Sequence, residues 1–581
     1  MVTESDARCA TTVSYWDAQS GGSRSRVLEK KRQTMNLPRA LNKARVVEIS
    51  SMFLIFLSFF LNFVITIEHS LFTMEFALLN FIILIFSGCI GYFTPNLSYL
   101  AKCIVYSVLV TLFIDLQFEF LKWWAERVLL ILILAFVALW LIRVHASIVL
   151  LVIFATINVA TILVPLAPDA AGFLISSNDD GLSETVPPTV VHIILDEHIG
   201  LEGIPTDIEG GIKTRNALMA FYKEYGFRLY GGTYSKYYQT ENSISNILNS
   251  PKSVPIESLY FKDNSFFSKH GRVLTSNLYF RKQKDAGYRI RVYQSRFMNF
   301  CDQEFVELID CYTYSYNEIK SAALTSLSTL KKWNLIVGVF VNWHLETSWF
   351  FRQFGRLYDQ VKMFFGEAGG TNAGSIKMEQ SVSAIAEIAV FDRLMSDIRL
   401  DPKGSLYFAH FLLPHFSYIF DSLCNIRIPL FDWKTRFTNS SAESRTVLYS
   451  LYFEQIHCTM RRLRKLFDYM KAAGIFDDTT IIVHGDHGSR IVVTEPNAAN
   501  KKNLSKEDLA DGYSTLFAAK KPSLTTGYDA QMRPIEEIFQ QVVNSSGSAG
   551  PPPEEHYVYL RNEEGIGWSQ IRLPAFSRDI E

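Results

Sequence analysis

The chain has 581 residues and a formal net charge of −1, a balance that excludes a nucleic-acid partner recruited by charge. Its apolar share is 48%, but it is unevenly spread, and the stretch that follows residue 45 is far more apolar than the rest. Length and asymmetry together predict a membrane part followed by a soluble part long enough for one large α/β core.

Residues 1–45 are polar and basic, with Arg24, Arg26, Lys30, Lys31, Arg32, Arg39, Lys43 and Arg45, and show no packing pattern. They are expected to be disordered, and Met35 is an alternative start. Five apolar stretches follow, near 49–67, 71–94, 98–115, 128–144 and 146–167. Each is close to the roughly 20 residues that cross a bilayer core. Buried helices of a soluble bundle would keep a polar face, and runs such as Leu129-Leu130-Ile131-Leu132-Ile133-Leu134 have none. The segments repeat and lack a cleavage context, so they do not read as a signal peptide. The basic N-terminus, Lys102 and Arg143 fall on one side if the helices alternate. Positive residues favour the cytoplasm, so five crossings place everything after residue 168 on the periplasmic or extracellular side of an inner (cytoplasmic) membrane. Trp123 and Trp124 suit an interface.

The expected domains are therefore 46–168 for the membrane helices, 169–188 for a linker rich in Gly, Ser, Asp and Pro, and 189–581 for the soluble domain. Within the last, the strand Thr189–Leu195 runs into Asp196-Glu197-His198. A helix is predicted near 212–225, a strand at Phe227–Tyr230, another at Ser235–Thr240, and a helix from Thr240, where Ile244, Ile247 and Leu248 fall on one face. Strands at Tyr288–Tyr293 and Ser405–His410 follow. A long amphipathic helix is predicted over 448–472, with Gly474 as its C-cap, and then the strand Thr480–Val483 ending in His484-Gly485-Asp486-His487-Gly488. Helices alternating with strands predict a mostly parallel sheet. A flexible segment near 544–556 precedes a last apolar piece, Tyr557–Leu560.

Of the seven cysteines, Cys301 and Cys311 are close enough in sequence for a loop-closing disulfide if the domain lies outside the cytoplasm, and Cys424 with Cys458 is a second, weaker pairing. There is no Cys-x-x-Cys pair for a zinc ribbon.

The chemistry-bearing residues gather at strand ends, where open α/β sheets bind ligands. Asp486 and His487 are an oxygen and a nitrogen donor side by side, with Gly485 and Gly488 expected to permit a tight turn toward one cation. Asp196 ends the other strand, with Glu197 and His198 as rivals. Thr240 lies where a loop enters a helix, a place for an anion and for an activated hydroxyl, although such a threonine is ordinarily an N-cap, and Ser243 and Ser245 are nearby alternatives. His410 and His415 flank Phe411-Leu412-Leu413-Pro414; either imidazole could hold a phosphate oxygen or protonate a leaving group, and the Pro414 turn is expected to expose His415.

These pieces, in this order over most of 189–520, resemble the sulfatase-like branch of the alkaline phosphatase superfamily. The carrying segments are Val191–Glu197, the Thr240 loop and helix, Phe411–Tyr418, and Asp478–Gly488. The five-helix anchor resembles that of membrane phosphotransferases such as lipoteichoic acid synthases and phosphoethanolamine transferases. The resemblance implies an α-helical five-pass membrane domain followed by an α/β alkaline-phosphatase-like domain. It also implies one or two divalent metals, manganese, magnesium or zinc, on Asp196, Thr240, Asp486 and His487, with Glu197 as a further candidate ligand, Thr240 as nucleophile and His415 on the substrate phosphate. A phospholipid donor and a glycan or lipid acceptor would be the partners, with phosphoglycerol or phosphoethanolamine carried on a phospho-threonine. A metal-dependent phosphodiesterase or sulfuric-ester hydrolase is the alternative, and a non-catalytic membrane binding protein the second. Two departures stand out. Thr240-Glu241-Asn242-Ser243-Ile244 lacks the Pro and Arg that arylsulfatases need beside their converted Cys or Ser. The strand Gly287–Tyr293 leads to Gln294-Ser295-Arg296, not to the histidine of lipoteichoic acid synthases.

Overall fold

The computed structural model describes residues 43–65, 70–118, 125–142, 145–163, 186–249, 267–268, 273–274, 276–295, 297–301, 309–314, 327–354, 356, 378–427, 442–544, 553–562 and 567–576. They fall into two compact units. Most of the basic N-terminus, the Trp123-Trp124 pair, nearly all of the 169–188 linker and most of the 544–556 segment lie outside the described residues.

The first unit contains five helices long and apolar enough to cross a membrane: α1 (Lys43–Ile65), α2 (Met74–Phe93), α3 (Tyr99–Gln117), α4 (Ala125–Ile142) and α5 (Ala146–Leu163). Phe81, Leu84, Leu129, Leu130, Ile133 and Leu134 stand exposed on them, the surface that a lipid-facing helix presents. Charged groups inside the bundle are matched. Glu48 accepts from Ser147 Oγ at 2.9 Å and from the Tyr106 hydroxyl, with Lys102 Nζ 3.5 Å away. At the far end of α3, Asp115 accepts from Ser348 Oγ at 2.6 Å and from the backbone amides of Trp349 and Phe350 at 3.1 and 3.0 Å. That places Thr347–Gln353, distant in sequence, in this unit.

The second unit is built on strands β1 (Val190–Leu195), β2 (Arg228–Tyr230), β3 (Thr233–Tyr234), β4 (Phe267–Ser268), β5 (Val273–Leu274), β6 (Arg289–Ser295), β7 (Ile309–Tyr314), β8 (Ser405–Phe411), β9 (Thr480–Gly485), β10 (Phe517–Lys520) and β11 (Gly527–Asp529). Eight of them form one sheet in the order β11-β2-β10-β9-β1-β8-β6-β7, in which β10 alone runs antiparallel to its neighbours. The mostly parallel sheet expected from the alternation of elements is what forms.

Helices cover both faces, which is why β1 is apolar without alternation. Val191, Ile193 and Leu195 pack with α6 (Gly211–Glu224), α10 (Met378–Leu400) and α11 (Ala442–Ala472). Val190 and Ile194 pack on the other side with α7 (Thr240–Asn249), α8 (Leu278–Asp285) and a late helix, Ile535–Asn544. The register brings three strand ends level, because Leu195 pairs with Phe411 of β8 and with Gly485 of β9. The residues that follow, Asp196, Leu412 and Asp486, therefore emerge together.

Several expectations shift at their edges. α11 starts six residues before the predicted 448, and Gly474 closes it at φ 70° as a C-cap should. The predicted strand at Ser235–Thr240 does not form; only Thr233–Tyr234 pairs, and it does so with Arg533–Pro534. Ser235 Oγ donates to the Tyr237 carbonyl at 2.9 Å and accepts from the Tyr237 amide at 3.2 Å, and this local turn turns the chain away from a ladder and toward α7. Both disulfides form, Cys301–Cys311 and Cys424–Cys458.

Candidate active site

Asp196, Asp486 and His487 converge at the level strand ends, each offering a ligand atom within 4.8 Å of the others, and all three are fully buried. The orientation of each is set by its neighbours. Asp486 Oδ1 accepts the backbone amides of Glu197 and His487, both at 3.0 Å. Its Oδ2 is left without a hydrogen bond and lies 3.0 Å from His487 Nε2, as two ligand atoms turned to one point would. His487 Nδ1 donates to the Gly488 carbonyl at 3.0 Å, which leaves the Nε2 lone pair facing the cluster. Thr240, the first residue of α7, brings Oγ1 to 3.1 Å from the same nitrogen. Both oxygens of Asp196 are buried with no hydrogen bond and lie 3.8–3.9 Å from His410 Nε2 and His487 Nε2.

The electrostatics of the group suit a cation. Burial, then the neighbouring Asp486 and Glu197 carboxylates, push the Asp196 carboxyl well above its ordinary range. Burial acts the same way on Asp486, but His487, His410 and the Glu197 amide together outweigh it and hold that carboxyl below the usual range. Two buried carboxylates with three orphaned oxygens are costly unless a positive charge lies between them. A divalent ion fits this donor set, and the oxygen and imidazole ligands suit manganese, magnesium or zinc. His410 can join it. Neither of its ring nitrogens has a hydrogen-bond partner, and burial lowers its pKa to about 4, so it is a neutral donor.

The other sequence candidates fall elsewhere. Glu197 is not part of the three-residue cluster; its Oε1 receives Arg490 Nε at 2.8 Å and lies 3.6 Å from His415 Nε2. His415 is 3% exposed, so the Pro414 turn does not expose it: its Nδ1 contacts the Phe416 carbonyl, and Gln455 binds its own carbonyl at 2.7 Å. His198 turns aside, Nδ1 to the Ile199 carbonyl at 3.0 Å. Ser243 Oγ donates to the Asp486 carbonyl and so braces the ligand loop, and Ser245 Oγ makes no hydrogen bond at all. Gly485 and Gly488 do not adopt positive φ; they are needed for close packing. A Cβ on Gly488 would run into the Asp511 carbonyl, and one on Gly485 into the His198 carbonyl.

Four residues that hold the site together escaped the sequence reading. One face of α11 carries Tyr449, Tyr452 and Gln455 at three-residue steps. The Tyr449 hydroxyl bonds Ser489 Oγ at 2.7 Å and Asp511 at 2.6 Å. The Tyr452 hydroxyl donates to the Glu197 carbonyl and accepts the Ile199 amide at 2.9 Å. Gln455 donates to the Pro414 and His415 carbonyls and accepts the Ile419 amide. One rigid helix thus pins all three loops that follow β1, β8 and β9. The fourth is Glu387 on α10, which accepts the Leu412 and Leu413 amides and the Tyr314 hydroxyl; burial pushes its carboxyl up to about 8. A buried Gln beside Ile456 on an apolar face was the one available signal.

No protein-family model and no curated protein matches the chain. The solved structures to which it is similar include the following three. One is the C-terminal periplasmic domain of EcEptC from Escherichia coli in complex with Zn, at 15% identity over 65% of this chain and 90% of that one, TM-score 0.37. Another is the lipoteichoic acid synthase LtaP from Listeria monocytogenes, at 12% identity over 69% and 89%, TM-score 0.36. The third is the phosphonate monoester hydrolase SpPMH from Silicibacter pomeroyi, at 12% identity over 64% and 80%, TM-score 0.37. These likenesses are distant.

Proposed function

We propose that this protein is a membrane-anchored, metal-dependent phosphotransferase that moves a phospholipid headgroup, phosphoglycerol or phosphoethanolamine, through Thr240 to a hydroxyl on a glycan or lipid. The observation that carries the reading is Thr240 Oγ1 at 3.1 Å from His487 Nε2, beside three orphaned carboxylate oxygens. A divalent cation held by Asp196, Asp486, His487 and Thr240 would offset charge on the phosphoryl oxygens and favour the ionised hydroxyl.

Within that frame the chain's own groups have definite tasks. Asp196 and Asp486 would supply the negative charge to hold the cation, and the two amides on Asp486 Oδ1 fix the orientation of that carboxylate. Thr240 Oγ1 forms the bond to phosphorus as the bond from phosphorus to the lipid's glycerol oxygen breaks. The threonine proton passes to solvent, and the departing oxygen takes a proton, which leaves diacylglycerol. His415 is placed as the imidazole that serves the phosphate or the leaving oxygen. The acceptor hydroxyl then attacks the phospho-threonine and restores Thr240. The α7 N-terminus favours an anion at Thr240 throughout. The apolar helices would keep the site at the leaflet where a lipid donor resides, on the periplasmic or extracellular side.

The test is mass spectrometry of the Thr240 peptide after the full-length protein meets phospholipid. Added phosphoglycerol or phosphoethanolamine supports the reading and names the group. Steady release of free headgroup phosphate with no acceptor would make the chain a hydrolase. Full metal-dependent turnover by Thr240→Ala would remove Thr240 as the nucleophile.

A further inference from the structure

Three residues other than glycine have positive φ among the described residues: Glu197 at 59°, Arg490 at 56° and Cys424. Left-handed backbone is unfavourable for side chains of this size and persists only where the surroundings impose it. Two of the three are the partners in one buried ion pair, Arg490 Nε to Glu197 Oε1 at 2.8 Å.

Each strained residue is clamped by its backbone. The Glu197 amide is on Asp486 Oδ1 and its carbonyl is on the Tyr452 hydroxyl. The Arg490 amide donates to the Asp511 carbonyl at 2.9 Å, next to the Gly488 amide on the Gly512 carbonyl at 3.1 Å. Asp511 is itself held by Arg445 and Tyr449. The fold therefore supports unfavourable backbone at both ends of one contact.

The contact is aimed at the cluster. Arg490 Nη1 donates to the Tyr238 carbonyl at 3.2 Å and reaches 3.5 Å from His487 Nε2, the nitrogen that faces Thr240 and Asp486. None of its hydrogen bonds uses Nη2. Its side chain is 11% exposed, so the guanidinium meets the edge of the cluster without being sealed away. A guanidinium and a divalent ion this close repel each other unless an anion lies between them. Glu197 occupies one side of the guanidinium; a phosphoryl oxygen is the anion that suits the other, and a planar fork of N–H groups is the geometry that recognises it.

We propose that Arg490 is the second cationic group of this site: it takes a non-bridging oxygen of the phosphoryl being transferred, and Glu197 positions it instead of binding the metal. This rests on the phosphotransfer reading above, and it makes the substrate an anionic phosphodiester bound between one metal and one arginine. Glu197 also lies beside His415, so a single carboxylate orients both substrate-facing groups.

The experiment uses the full-length, metal-loaded protein and two readouts that need no turnover: bound metal per chain, and calorimetric affinity for orthovanadate as a phosphoryl mimic. Arg490→Gln is expected to keep its metal and to bind vanadate about 30-fold more weakly, the loss of a charged hydrogen bond. Arg490→Lys is expected to recover part of that affinity, and it serves as the informative variant if the Gln form does not fold. Glu197→Gln is expected to keep its metal while vanadate binding weakens. Vanadate affinity in Arg490→Gln within about threefold of wild type would reduce the pair to a structural salt bridge. Loss of metal in Glu197→Gln would return Glu197 to the ligand set and overturn the proposal. If wild-type Thr240 never carries phosphate, the transferase reading fails by itself, and the vanadate and metal measurements still decide the role of Arg490.

Discussion

His484 and His487 are three residues apart, both fully buried, and have opposite fates. His484 lies inside β9 opposite Ile194 of β1, so His192, two residues earlier on β1, meets it diagonally on the same face of the sheet. Its Nδ1 donates to the Gly485 carbonyl, so its Nε2 must accept, and His192 Nε2 donates to it at 2.7 Å. Phe408, Phe517 and Phe539 enclose the pair, and burial lowers both pKa values, that of His484 to about 4. The pair is neutral and turned inward. His487, one turn past the strand end, presents its Nε2 lone pair to two carboxylates and a hydroxyl. The difference is not burial or residue type. It is whether the acceptors nearby are satisfied: the core pair finds its partner within the sheet, and the strand-end cluster leaves three oxygens orphaned.

That contrast can be broken from either side. The largest effect is expected at the cluster. Asp486→Asn should lose bound metal, measured by elemental analysis, and turnover should fall by roughly a thousandfold or more, with the circular dichroism of the fold retained. Next is the α11 brace. Tyr452→Phe deletes the bond to the Glu197 carbonyl and the acceptor for the Ile199 amide, so turnover should fall about 10- to 100-fold with metal still bound. Metal loss in that variant would show that the brace supports the ligands themselves.

The third outcome depends on pH. The Glu387 carboxyl titrates near 4.5 when unfolded and is raised to about 8 when folded. The folded state binds the extra proton between those values, so the stabilisation is complete below about pH 4.5 and is lost as pH rises through about 8. The chemical-denaturation stability of wild type, relative to Glu387→Gln, should therefore decline across that window by a few kcal/mol, at about 1.4 kcal/mol per pK unit. A flat difference would mean that the three donors on Glu387 hold it ionised. The smallest effect is expected in the core. His192→Leu strands the His484 acceptor and should cost about 1–3 kcal/mol without altering bound metal.

Legibility followed the range of the interactions. The apolar runs of β1 and β9, the five long apolar helices, the α7 start at Thr240 and the Cys301–Cys311 disulfide were readable, because each is a local pattern or a short spacing. Asp196, Asp486, His487 and Thr240 were readable as candidates for the same reason: a strand end or a helix start is visible locally. The bend at Ser235–Tyr237 was misread as a strand because aromatic residues favour strands and the side-chain turn at Ser235 leaves no periodic trace. The pairing of Glu197 with Arg490 was not legible, since the two lie 293 residues apart. Tyr449, Tyr452 and Gln455 were not legible as braces, because a helical period reports which face is buried but not which buried groups need partners.

The sequence by itself determined that five segments are apolar enough to cross a bilayer, that the rest alternates strands and helices, and that residues able to ligate a metal sit at two strand ends. These follow from hydropathy and backbone period, which neighbouring residues set. Only the tertiary structure decided that β1, β8 and β9 end level, that Asp196 stands unpartnered while Glu197 is taken by Arg490, and that His410 and His415 are both buried. Those outcomes depend on sheet register and on which distant charges meet, and desolvation acts on a group only after the rest of the chain has closed around it.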